Sequence, residues 1–167
     1  MSGVLAYIGL GSNLDDPVMQ LRKALDELAR IPDSSLLRHS GFYRTPPWGP
    51  VEQADFVNAV AEMRTNLDPA ELLDELLRIE RCAGRERAGE RWGPRIIDLD
   101  LLVHGNSRIT EDGLCVPHPR MLERAFVLVP LAELDASMKL PEYGCIADHL
   151  ARLDTSRCVR VPLGEDP

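Results

Sequence analysis

One octapeptide restricts the fold more than any other stretch: Ile96-Ile97-Asp98-Leu99-Asp100-Leu101-Leu102-Val103. Ile97, Leu99, Leu101 and Val103 alternate, so they share one buried face of a strand. Asp98, Asp100 and Leu102 share the other. Such a strand needs strand partners on its edges and helices over its apolar face.

The rest of the chain supplies both. Val4 to Leu10 reads as a strand, and Gly11-Ser12-Asn13 as a turn. Asp16-Pro17 starts a helix over 17–29, with Val18, Leu21, Leu25 and Leu28 at helical spacing. Residues 35–44 read as a second strand. The prolines of Arg44-Thr45-Pro46-Pro47-Trp48-Gly49-Pro50 require a loop reaching Ala54. A third strand runs from Asp55 to Thr65. It sets Val57, Ala59, Ala61 and Met63 against Phe56, Asn58 and Val60. Asp68-Pro69-Ala70-Glu71 is a capping box before Leu72, Leu76, Ile79 and Ala83, and Gly84 ends that helix. Residues 85–95 read as loop. Val116-Pro117-His118-Pro119 reads as extended loop, and 120–134 as a short helix interrupted by Pro130. The order is βαββαβ. It predicts an α+β domain with a ferredoxin-like core, an antiparallel sheet with helices on one face, and C-terminal additions. The 167 residues fit one domain spanning 1–167.

Charge and composition narrow the function. With 27 acids against 19 lysines and arginines, general nucleic-acid binding is not expected. No apolar run approaches the roughly 18 residues of a membrane helix. Met1-Ser2-Gly3-Val4 lacks the basic start of a secretory signal, so a cytoplasmic protein is expected. Cys82, Cys115, Cys145 and Cys158 have no C-x-x-C or zinc-finger spacing and read as reduced thiols.

Asp98 and Asp100, about 6.6 Å apart along one strand face, suit a hard divalent cation such as Mg²⁺. Alternatively they line an exposed edge and simply stay hydrated. Six arginines, at 78, 81, 85, 87, 91 and 95, stand against three glutamates just before this strand. A basic loop feeding an acidic strand suits a metal–polyphosphate site, since the arginine fork matches phosphate oxygens. Arg78 and Arg81 also fit a salt-bridged helix end. Gly9-x-Gly11-x-x-Leu14 lacks the third glycine of a dinucleotide fingerprint. Neither lysine, Lys23 nor Lys139, follows a glycine, so there is no P-loop. Phe56 and Asn58 could line a pocket with the acids if their strands are neighbours, or could simply pack. His118 could touch a phosphate or cap a turn; His39, His104 and His149 read as structural or surface residues.

The run Arg91-Trp92-Gly93-Pro94-Arg95-Ile96-Ile97-Asp98-Leu99-Asp100-Leu101-Leu102 resembles the signature of the 6-hydroxymethyl-7,8-dihydropterin pyrophosphokinase family of folate biosynthesis. So do Tyr7-Ile8-Gly9-Leu10-Gly11-Ser12-Asn13-Leu14, Tyr43-Arg44-Thr45-Pro46-Pro47, Phe56-Val57-Asn58-Ala59 and Val116-Pro117-His118-Pro119. The resemblance spans about residues 5–135. It implies transfer of pyrophosphate from ATP to the pterin hydroxymethyl oxygen, with release of AMP. By position, Asp98 and Asp100 would bind two Mg²⁺ ions. Thr45, Pro46, Trp48, Phe56, Asn58, Trp92 and Phe126 would hold the pterin. Glu80, Arg85, Arg87, Arg91, Trp92, Arg95, His118 and Arg124 would line the ATP side, with Arg85 and Arg95 joining the two aspartates in catalysis. Leu77, Trp48, Phe56, Cys115 and Pro119 depart from the better-known members, which bears on affinity rather than on the reaction. A monomer with small-molecule partners is expected. Two rivals stand beside this reading: a palm-type nucleotidyl transferase, which also places metal-binding aspartates on such a sheet, and a non-catalytic ligand-sensing module, which would not require the aspartate pair beside an arginine loop.

Overall fold

The computed structural model describes residues 3–14, 16–47, 52–84 and 96–162. Two long strands, β1 (Val4–Ser12) and β4 (Phe56–Thr65), pair antiparallel over nine residues at the centre of the sheet. In chain order the others are α1 (Pro17–Leu28), β2 (Ser34–His39), β3 (Tyr43–Thr45), α2 (Pro69–Cys82), β5 (Asp98–His104), β6 (Ile109–Glu111), β7 (Leu114–Val116), α3 (Ala125–Leu134), β8 (Lys139–Leu140), β9 (Gly144–Cys145), α4 (Ile146–Leu150) and β10 (Val159–Arg160). The main sheet runs β10-β3-β4-β1-β5, with β2 also on β4. Each of its pairings is antiparallel.

The period-two alternation builds two cores. Ala6, Ile8 and Leu10 of β1 and Val57, Ala59, Ala61 and Met63 of β4 face α1 and α2, meeting Leu21, Leu28, Leu72 and Leu76. Leu72 and Leu76 are fully buried, so truncating either to alanine costs about 2–5 kcal/mol. The capping box of α2 forms in both directions: the Glu71 N–H donates to Asp68 and the Asp68 N–H to Glu71. Tyr7, Val60, Leu102 and Val103 lie in the second core, against Leu128 and Leu131 of α3 and Ile146 of α4. Helices therefore cover both faces. The one-face expectation holds for α1 and α2, and the C-terminal additions fill the opposite side.

Several sequence expectations need correction. Val103 does not share a face with Leu99 and Leu101. Tyr7 pairs with Val103 and Ile8 with Leu101, so Leu102 is an extra residue that reverses the alternation. Gly11 and Ser12 continue β1 instead of turning. The strand expected at 35–44 is broken between β2 and β3. There the Ser40 hydroxyl accepts the Val60 N–H and the Gly41 N–H goes to Glu133, so side chains replace ladder bonds. Pro130 lies inside α3 without ending it. β6 and β7 add a hairpin to the expected elements, turning at Asp112-Gly113, a two-residue turn signal in which Gly113 has φ +81°. All four cysteines are free thiols.

Candidate active site

The antiparallel register builds the site. Gly11 stands opposite Asn58 on β4 and opposite Asp98 on β5; Gly9 stands opposite Val60 and Asp100. Directly opposed residues share a face. Two transverse rows therefore run Asn58–Gly11–Asp98 and Val60–Gly9–Asp100. The strand of Asn58 is not the neighbour of the aspartate strand. The intervening strand places glycines there, leaving a floor of bare backbone between an amide and two carboxylates. Above this floor is a cavity of about 420 Å³ whose lining includes Asp98, Asp100, Phe56, Asn58, Glu80, His118, Arg124 and Phe126. Thr45 and Pro46 line it too, as does Leu77.

Each side chain is held by its element. The Asn58 Nδ2 donates to Thr45 Oγ1 at 2.6 Å, joining β4 to β3. This orients the amide, and Asn58 Oδ1 lies where a Cβ on Gly11 would come within 2.6 Å. Glu80, near the end of α2, is buried and accepts the Leu99 N–H at 2.7 Å, between the two aspartates. His118 is tied down twice. Its N–H donates to the Leu102 carbonyl at 2.8 Å, and its Nδ1 accepts the Arg120 N–H at 3.2 Å. The neutral ring thus carries its proton on Nε2. Burial, then Arg124 and Arg120, pushes the His118 pKa down to about 4. Burial also lowers the Arg124 pKa, which Asp100 and Asp98 partly offset. Its guanidinium sits 5.5 Å from the centre of the Phe126 ring, a cation–π arrangement.

Sequence reasoning missed several lining residues, among them Gly9, Gly11, Gln53 and Leu73. The sequence places these glycines in a failed dinucleotide fingerprint, a turn and a family-like run, with no site role; their i, i+2 spacing on a strand is the useful signal. Gln53 accepts from Asn13 Nδ2 at 2.7 Å, which also donates to the Ala54 carbonyl, so Asn13 anchors the loop entering β4. Trp48, Arg85, Arg87, Arg91, Trp92 and Arg95 lie outside the described residues. His39, His104 and His149 do bond backbone carbonyls, as structural residues would. Among the described residues no three His, Cys, Asp or Glu side chains form a metal-holding group. Asp98 and Asp100 give the cavity lining a carboxylate pair, with Glu80 beside it.

An α+β domain whose cavity combines aromatic rings, a fixed amide, two carboxylates and a half-buried cation is a small-molecule site for a flat, polar ligand beside an ionic one. Residues 7–136 match the profile of the 7,8-dihydro-6-hydroxymethylpterin-pyrophosphokinase family, and the chain belongs to that family. A 2-amino-4-hydroxy-6-hydroxymethyldihydropteridine pyrophosphokinase of Haemophilus influenzae is 42% identical over 158 residues, 95% of this chain and 98% of the relative. Its namesake in Pseudomonas aeruginosa is 44% identical over 156 residues, 93% and 96% of the two chains. A crystal structure of Plasmodium falciparum HPPK-DHPS superposes with a TM-score of 0.74 at 14% identity, over 95% of this chain. The present chain spans about half of that one (49%), and the likeness is one of fold.

Proposed function

We infer that the cavity brings ATP and a reduced pterin alcohol together over the glycine floor. The chain transfers pyrophosphate from ATP to the hydroxymethyl group of 6-hydroxymethyl-7,8-dihydropterin, releasing AMP, in folate biosynthesis. The observation that carries the site assignment is the Asn58–Gly11–Asp98 row, which sets a heterocycle-reading amide and an acidic pair on one sheet face. The alcohol oxygen bonds to the β-phosphorus, the bond from that phosphorus to the oxygen bridging it to the α-phosphorus breaks so that AMP leaves with that oxygen, and the alcohol proton passes to solvent.

Phe56 and Phe126 stack on the pterin ring. Asn58, with backbone groups of Thr45 and Pro46, reads its edge, and Trp48 and Trp92 complete that side. Glu80, Arg87, Arg91, Trp92, Arg95, His118 and Arg124 receive ATP. His118, neutral near pH 7, donates its Nε2–H to a phosphate oxygen, and Arg124 adds a fixed positive charge. Arg85 and Arg95 neutralise charge on the transferred group.

Asp98 and Asp100 hold two Mg²⁺ ions, which offset polyphosphate charge and acidify the alcohol when bound. The donor set fits: Mg²⁺ takes one or two carboxylates and completes its shell with water and phosphate. Strand order and antiparallel pairing support reading the core as ferredoxin-like. A cytoplasmic monomer without nucleic-acid or membrane partners belongs to the same reading. No helix among the described residues is long and apolar enough to cross a membrane.

The test is to incubate the protein with Mg-ATP and the pterin alcohol and identify products. AMP and pterin pyrophosphate in equal amounts are expected, with chelation of Mg²⁺ stopping turnover. Release of inorganic pyrophosphate would point to nucleotidyl transfer, and tight binding without turnover to a sensing module.

A further inference from the structure

Phe126 is the second residue of α3, Thr45 ends β3 and Pro46 follows it, and all three line the cavity. One carboxylate ties the two elements together. Glu133, in the last turn of α3, accepts the Gly41 N–H at 3.0–3.1 Å with both oxygens and the Tyr43 hydroxyl at 2.7 Å. The Arg160 guanidinium of β10 approaches it at 3.4 Å and lies 5.9 Å from the centre of the Tyr43 ring. A negative charge near a helix C-terminus opposes the helix dipole, so Glu133 gains its stability from these donors. Burial, then Glu133, raises the Tyr43 pKa to about 12, so the phenol keeps the proton it donates.

β10 braces the same point from outside. Arg160 pairs with Tyr43, and the Val161 N–H donates to the Phe42 carbonyl at 2.8 Å. A Cβ at Gly41 would come within 2.7 Å of the guanidinium, so that glycine makes room for the brace. Tyr43 is itself opposite Asn58 and two residues before Thr45. β10 also lies beyond residues 7–136, the part matched by the family profile.

We propose that Glu133 is a positioning residue for the pterin side of the site, setting the gap between the β3 wall and the α3 wall through Tyr43, with Arg160 as its brace. The proposal rests on the assignment of Phe126, Thr45 and Asn58 to the pterin. The polyphosphate side, around Asp98 and Asp100, is not bonded to this hub through any of its contacts described above. Glu133 should therefore act on one substrate and not the other.

The experiment compares steady-state constants for Glu133→Ala, Glu133→Gln, Tyr43→Phe and Arg160→Ala. Glu133→Ala is expected to raise the KM for the pterin alcohol roughly tenfold, the scale of a lost charge-assisted hydrogen bond, with the KM for ATP and kcat within about twofold. Glu133→Gln keeps an acceptor for Tyr43 and Gly41 and should recover most of that loss. Tyr43→Phe and Arg160→Ala should raise the pterin KM about two- to fivefold, and they carry the test if Glu133→Ala does not fold. Both KM values rising together, or an unchanged pterin KM in the folded variants, overturns the proposal. If the unsubstituted enzyme forms no pterin pyrophosphate, the proposed function fails first. If it turns over normally and the pterin KM ignores Glu133, only the positioning role fails.

Discussion

Along the face of β4 beneath α3, the residues in turn are Phe56, Asn58, Val60 and Glu62. Val60 sits in the apolar core under α3, with a polar cluster at each end of it. At one end, Glu62 is buried and closed in. Arg38 Nε donates to it at 2.8 Å, the Tyr7 hydroxyl donates to its other oxygen, and Arg38 also reaches the Leu134 carbonyl at 2.6 Å. Arg38 holds the Glu62 carboxyl below its ordinary range despite burial, while burial, then Glu62, raises the Tyr7 pKa strongly. At the other end, Asn58, Asp98 and Asp100 face a cavity. Polar groups on a sheet face need compensation at either end. Where protein groups close around the carboxylate the cluster braces the fold, and where the acids front a cavity it can serve a ligand.

The largest expected contrast comes from deleting a carboxylate at each end. Asp98→Ala or Asp100→Ala should lower kcat/KM roughly a thousandfold or more, about 4 kcal/mol of transition-state stabilisation. Stability should change by less than about 1 kcal/mol, since one of two repelling acids is gone. Urea denaturation and initial rates on the same preparations check both halves. Near-normal turnover in either folded variant would remove the metal assignment.

Glu62→Ala should do the reverse. Leaving Arg38 and Tyr7 without their shared acceptor should cost about 2–3 kcal/mol of stability, while the folded fraction keeps its KM values for both substrates. A selective loss of kcat in Glu62→Ala would erase the distinction between the two ends.

The glycine floor sharpens the open end. Gly11→Ala brings a Cβ within 2.6 Å of Asn58 Oδ1 and must displace the amide. The pterin KM should rise roughly tenfold. At Gly9 the nearest atom would be a Leu102 methyl at 3.5 Å, ordinary contact, so Gly9→Ala should fold as well as the parent chain. Equal effects of Gly11→Ala on both substrates would show that Asn58 does not serve the pterin alone.

The last contrast concerns pH. The His118 pKa lies near 4 in the folded protein, against about 6.5 in an unfolded chain. Between those values the unfolded state binds a proton that the folded state refuses, so stability falls as pH falls through that window. One histidine contributes at most about 1.4 kcal/mol per pH unit. His118→Gln should remove this part of the slope in melting temperatures taken from pH 4 to 7. Parallel curves for the two proteins would show that the ring is not held neutral.

Much of this was legible in the chain. Both main helices were readable because caps and apolar spacing are local: Asp68, Pro69 and Glu71 start α2, and the helix forms from Pro69. The aspartate pair was readable because a strand alternates with a fixed period. The break at Ser40 and the bulge at Leu102 were not. Each arises where a backbone group finds its partner on a distant element, and no local pattern encodes that partner.

The residues able to do chemistry here are written in the chain: an acidic pair on a strand, an aromatic and an amide two residues apart, and a histidine between prolines. Local periodicity set the face each occupies within its own element. That these faces meet is a product of long-range packing. The Asn58 and Asp98 strands are not neighbours. Their encounter depends on the register of β1, which sets Gly11 between them, and on α3 crossing the second face to bring Arg124 and Phe126 over the floor. Register and helix placement come from burial summed over the whole sheet, a quantity no single segment carries.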